Sequence, residues 1–86
     1  MKDDYYWFWI NNITGIANIK LRYLFKVFDT PEDIYKASDK MFEGVMGIKP
    51  EDIYSIKESR KSEYIYREYS ELDKKGIKFT YPGKYN

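Results

Sequence analysis

Two short stretches of this chain carry residue types that can hold an anion on backbone N–H groups. They are Gly15-Ile16-Ala17-Asn18, followed by Lys20, and Gly47-Ile48-Lys49. A glycine lets the chain turn sharply, and the free N–H groups that open the next helix carry positive partial charge. Aimed outward, such a turn cradles a phosphate. Asn18 and Lys20 would assist at the first turn, and Lys49 would add charge at the second. Folded inward, the same turn is a tight connection between helices with its isoleucine in the core. The inward reading is preferred at both turns. If the outward one holds, the phosphate-contacting residues, on a nucleic acid or another anion, are Gly15, Ile16, Ala17, Asn18 and Lys20 first, then Gly47 and Lys49.

Other chemistries are poorly supplied. The chain has 86 residues, with no cysteine and no histidine. That excludes disulfides, thiolate metal sites, a cysteine nucleophile and any imidazole base. A carboxylate metal site has no motif behind it. The acidic residues read as helix caps and surface pairs, so no catalytic residue, metal ligand or cofactor-binding residue is assigned. A formal net charge of +1 gives nucleic acid little to attract it over the whole surface. Arg60, Lys61 and Arg67 could form a local basic strip, but Glu58, Glu63, Glu68 and Glu71 interleave with them. Solvated ion pairs are the simpler reading. The run Tyr5-Tyr6-Trp7-Phe8-Trp9-Ile10 could stack on bases. Packing in a core or against another domain is the commoner fate of such a run.

The elements that would position these residues are helical. Asp3 or Asp4 caps a first helix over roughly residues 4 to 12, apolar nearly all round. In so small a chain one aromatic face is expected to remain exposed, there or on the helix over 59–75. Gly15 ends or turns this segment, and a second helix runs roughly from 18 to 28 with Asn18 as its cap. Leu21, Leu24, Phe25 and Phe28 make its buried stripe, with Lys20, Arg22 and Lys26 in solvent. Thr30-Pro31-Glu32-Asp33 reads as cap, first helical residue and acidic first turn. Ser38 caps another short helix closed near Gly44. The stretch from Gly47 repeats the opening theme and leads into a helix that begins Pro50-Glu51-Asp52. Ser62 caps a separate helix, or one bent helix spans 50–75. Ile65, Tyr69 and Leu72 form the stripe there, and Gly76 is the stop. The predicted core is Trp7, Ile10, Ile13, Ile16, Leu21, Leu24, Phe25, Phe28, Ile34, Ile48, Ile53 and Ile56. Residues 77–81 alternate as a short strand. The fold class is therefore all-α, a compact bundle of four to five short helices over 1–76. A strand and linker over 77–86 lead toward a following domain. No stretch reaches the roughly 20 apolar residues of a membrane span, and no signal peptide is apparent, so a cytoplasmic location is expected.

Taken in order, "YYWFWINNITGI", "LRYLFKVFDTPEDIYKAS", "MGIKPEDIYSI" and "ELDKKGIKFTYP" resemble the N-terminal helical region of the DNA-processing protein A family, DprA or Smf. The resemblance covers nearly the whole chain. It implies a fold similar to sterile-alpha-motif and helix-hairpin-helix domains, followed by a Rossmann-like domain. In that family the following domain binds single-stranded DNA and helps load a RecA-type recombinase during natural transformation. The resemblance implies an accessory role in DNA uptake and recombination, chiefly packing and protein interaction. Direct weak DNA binding by the turns and a free-standing interaction module are the alternatives. DNA-binding hairpins of this kind usually read Gly-h-Gly, whose second glycine lets backbone approach a phosphate. Ala17 and Lys49 stand at that place here.

Overall fold

A computed structural model of the chain describes residues 3–76. It contains six helices: α1 (Asp3–Ile10), α2 (Asn18–Phe25), α3 (Pro31–Lys36), α4 (Asp39–Glu43), α5 (Pro50–Arg60) and α6 (Glu63–Lys74). The all-α bundle is as predicted, with one helix more than the four to five expected. The extra one comes from the break at Lys61 and Ser62. The Ser62 hydroxyl accepts the Ile65 N–H at 3.2 Å, which caps α6 as a separate helix. The strand expected over 77–81 lies outside the described residues.

The aromatic run is the centre of the bundle. Tyr5, Tyr6, Phe8, Trp9 and Ile10 are all buried, and Trp7 is half-buried. The expected exposed aromatic face is therefore not on α1. It lies on α5 and α6, where Tyr54, Tyr64 and Tyr66 face solvent. A helix apolar all round is stable only when surrounded. Here α3 and α6 pack against α1, while α4 packs against α5. The rings meet mostly edge to face, the arrangement their quadrupoles favour. Trp9 meets Tyr35 of α3 at 4.9 Å, and Tyr5 meets Tyr69 of α6 at 5.3 Å. Trp7 instead stacks on Phe25 of α2 at 5.6 Å. Trp9 is fully buried, so its indole N–H needs an internal partner. The Ser59 hydroxyl of α5 accepts it at 2.9 Å and donates onward to the Ile56 carbonyl at 2.6 Å.

The helix ends follow local chemistry, with some shifts from expectation. Asp3 and Asp4 lie inside α1 rather than before it. Asn11 and Asn12 close its far end by donating their side-chain amides to the Trp7 and Phe8 carbonyls at 2.9 and 2.7 Å. Carbonyls left open in the last turn are thereby satisfied. Ala17, not Asn18, is the N-cap of α2. It is extended, and its carbonyl already accepts from Lys20 and Leu21, so the helix starts one residue earlier than the cap rule placed it. Thr30 caps α3 as read, accepting the Asp33 N–H at 3.1 Å, with Pro31 at the first helical position. Ser38 holds the N-cap position of α4 without a side-chain cap bond. Of the stripe read for α2, Leu24 is buried, Leu21 and Phe25 are only half-buried, and the buried Phe28 lies beyond the helix end. Ile48 and Ile53 are also half-buried, while Phe42 and Val45 join the core. The α6 stripe is as read: Ile65 and Tyr69 are buried and Leu72 packs against them.

Two segments share one plan. In α1–turn–α2, Ile13, Gly15, Lys20 and Leu24 fall at the same spacing as Val45, Gly47, Asp52 and Ile56 in α4–turn–α5. The backbone agrees: Ile16 donates to Ile13 at 3.2 Å, and Ile48 donates to Val45 at 3.3 Å. Both glycines have positive φ, +90° and +89°. The chain thus contains two helix–turn–helix segments of like plan, with α3 between them and α6 after.

Two measurements test this packing. Ser59→Ala strands the Trp9 N–H and should cost about 1–3 kcal/mol in chemical denaturation; an unchanged midpoint would show that the bond carries nothing. Tyr5 is pushed up from 10.0 to about 12, chiefly by burial and then by the neighbouring Tyr35, Tyr66 and Tyr6 hydroxyls. Below pH 10 this contribution is complete. Between pH 10 and about 12 the unfolded chain releases the proton first, so folding weakens. Tyr5→Phe should be less sensitive to base across that window than the parent chain, read from stability at each pH.

Candidate functional site

The structure brings the two glycine turns together and ties them to each other. Lys20, expected in solvent, is largely covered. Its ammonium donates to the Gly47 carbonyl at 2.9 Å and pairs with Asp52 at 3.0 Å. Asp52 is buried, and its carboxylate also accepts the Lys49 N–H at 2.8 Å. It therefore caps α5 from the third helical position. Lysine has no acceptor to return that bond, so the cap is one-sided. A charge as covered as Asp52 needs a partner of opposite sign, and removing one member of such a pair leaves the other uncompensated.

Contacts across the turns are reciprocal. Tyr23 of α2 lies on Gly47, where an added Cβ would collide with its ring. Ser55 of α5, at the equivalent place in its unit, faces Gly15, with its hydroxyl 3.5 Å from where a Cβ would sit. Lys20 and Asp52 are themselves equivalent and touch each other. Such i-to-j and j-to-i contacts define a local two-fold relation. The axis passes close to the Lys20–Asp52 pair.

The residues assigned to DNA contact fall into two groups. Gly15, Ala17 and Asn18 are exposed, while Ile16 is buried beneath them. Lys20 is engaged within the fold. At the second turn Gly47 and Lys49 are exposed, and the Tyr23 ring stands where a Cβ on Gly47 would go. The basic strip is divided as well. Arg60 turns inward and donates to the Ile34 and Ala37 carbonyls at 2.9 and 2.8 Å, rather than pairing with a glutamate. Its guanidinium lies over Phe42 at 5.6 Å, and burial lowers its pKa. Lys61 makes an exposed 3.9 Å pair with Glu58. Among the described residues no group of three or more candidate ligands gathers to hold a metal, and no helix is long and apolar enough to cross a membrane.

Sequence reading missed two clefts beside α6. One of 370 Å³ is floored by Phe8 and Ile65 and walled by Tyr54, Glu58, Tyr64 and Glu68. The other, of 440 Å³, is bordered by Tyr5, Tyr35, Tyr66, Arg60, Lys61 and Arg67, with Glu63. The signal was present as tyrosines at helical spacing opposite the buried stripe. No family model matches the chain, and neither a curated protein nor a solved structure matches it.

The two glycines should respond differently to one methyl group. Gly15→Ala meets only the left-handed backbone penalty, about 1–2 kcal/mol. Gly47→Ala adds the collision with Tyr23 and should lower the melting temperature further. Combining it with Tyr23→Ala should recover part of the loss beyond additivity. Equal losses at the two glycines, or strict additivity, would show that Tyr23 does not crowd the second turn.

Proposed function

We propose that this chain is the helical accessory module of a DNA-processing protein of the DprA/Smf kind. It works in the cytoplasm beside a Rossmann-like domain in DNA uptake and recombination. Its own contribution is recognition and positioning through protein contact, without bond-making chemistry. The ordered motifs from the Trp-rich first helix to Tyr81-Pro82 support the family part. One observation carries the protein-contact part: the second glycine turn already uses its backbone N–H groups within the fold. The Ile48 and Lys49 N–H groups that an incoming phosphate needs there already donate to the Val45 carbonyl and the Asp52 carboxylate. Single-stranded DNA and a RecA-type recombinase are then partners of the whole protein.

The second reading is weak contact of this module with single-stranded DNA. The exposure of Thr14, Gly15, Ala17 and Asn18 at the first turn favours it. Titrating the chain with oligo-dT at low salt, where phosphate attraction is strongest, separates the two. The expected result is no saturable shift of the backbone amides. Saturable, salt-sensitive shifts confined to the two glycine turns would make the turns a DNA clamp and overturn the preferred reading.

A further inference from the structure

The cleft floored by Phe8 and Ile65 has a chemistry that selects its occupant. Tyr54 from α5 and Tyr64 from α6 stand on its two walls, 66% and 67% exposed. Those are high values for rings beside an apolar floor. The charged residues lining it are Glu58 and Glu68, and no lysine or arginine lines it. The pattern continues along both helices. Glu51, Tyr54 and Glu58 recur at i, i+3 and i+7 on α5, and Tyr64, Glu68 and Glu71 at i, i+4 and i+7 on α6. These spacings put each trio on one helix face. All six residues are exposed. Glu51, Glu68 and Glu71 make no ion pair among the described residues, and the Glu58 pair with Lys61 is a long, solvated one.

We infer that this acidic, tyrosine-walled groove docks a short basic amphipathic segment of a partner protein. One apolar side chain sits between Tyr54 and Tyr64, and flanking Lys or Arg side chains reach Glu58 and Glu68. Three physical points select that occupant. Tyrosine faces attract cations as well as apolar groups, so both parts of the segment find a surface. A nucleic acid would bring phosphates against four carboxylates. A second copy packed face to face would set the same carboxylates against each other. The inference rests on the protein-contact reading above and names the partner's chemistry.

The test uses the full chain as bait for a library of short random peptides, counter-selected against a Tyr54→Ala/Tyr64→Ala double variant. These side chains are exposed, and circular dichroism checks that the variant folds. Enriched peptides should carry net positive charge and a large apolar residue. Binding of the best one should weaken about tenfold, roughly 1.4 kcal/mol, in Glu58→Lys/Glu68→Lys. Its amide shifts should centre on residues 54–68. Neutral or acidic winners, winners held equally by the double variant, or no enrichment would overturn the proposal. So would concentration-dependent self-association that shields the same amides, or oligo-dT shifting them. Failure here with silent glycine turns removes the basic-segment proposal alone. Oligo-dT shifts at the glycine turns instead remove the protein-contact reading beneath it.

Discussion

A fully buried indole must give its N–H to something, and much of this bundle is arranged around how Trp9 does so. Ser59 is on the fifth helix, far along the chain, so the bond requires α5 to lie against α1. Once α5 is there, Arg60 reaches across to the carbonyls of α3, and Tyr35 of α3 fills the edge of the same indole. The next residues, Lys61 and Ser62, then break the helix, and α6 folds back to place Tyr69 against Tyr5 and Phe8. The aromatic run supplies the apolar area. The indole bond gives that area a register, because edge-to-face contacts alone tolerate sliding more readily than a hydrogen bond does.

The sequence was legible where chemistry is local. Thr30-Pro31-Glu32-Asp33 names its own helix start, because a hydroxyl before a proline and two acids fits one helical position and few others. The choice at Ser62 needed only one backbone bond to settle. The α6 stripe was plain because its apolar residues are few and evenly spaced. Residues 5 to 10 were harder. Six adjacent apolar side chains have no period, so no face can be chosen from them, and Trp9 was missed as the centre while half-buried Trp7 was named. Phe42 was missed because α4 is a single short turn with no stripe to read. Lys20 was assigned to solvent because its partners, Gly47 and Asp52, are distant along the chain. The DNA-contact residues could be named from the turns, but the engagement of Lys20 and of the Lys49 N–H with Asp52 is not encoded in helical periodicity.

The last helix divides the surface by charge. Its buried stripe faces α1, leaving two solvent flanks with tyrosines on both. Glu68 is on one flank, next to Glu58. Arg67, its neighbour in sequence, is on the other, with Arg60 and Lys61. Adjacent residues on a helix point about 100° apart, so one step in sequence moves a charge to a different face. A net charge near zero therefore hides a polarised surface, and a whole-chain average was a poor guide to partners.

The Lys20–Asp52 pair has a further meaning because of where it sits. Near a two-fold axis, equivalent residues meet each other. Had both units kept lysine, two ammonium groups would have faced one another at the 3.0 Å now spanned by an attraction. Had both kept aspartate, two carboxylates would have done so. Opposite charges at the axis make each half complementary to the other and repellent to itself. Two first halves from separate chains, brought together by chance, would meet like with like. The pair thus acts as an identity check at the seam: it ties a first hairpin to a second and discourages two first hairpins, or two second ones, from pairing.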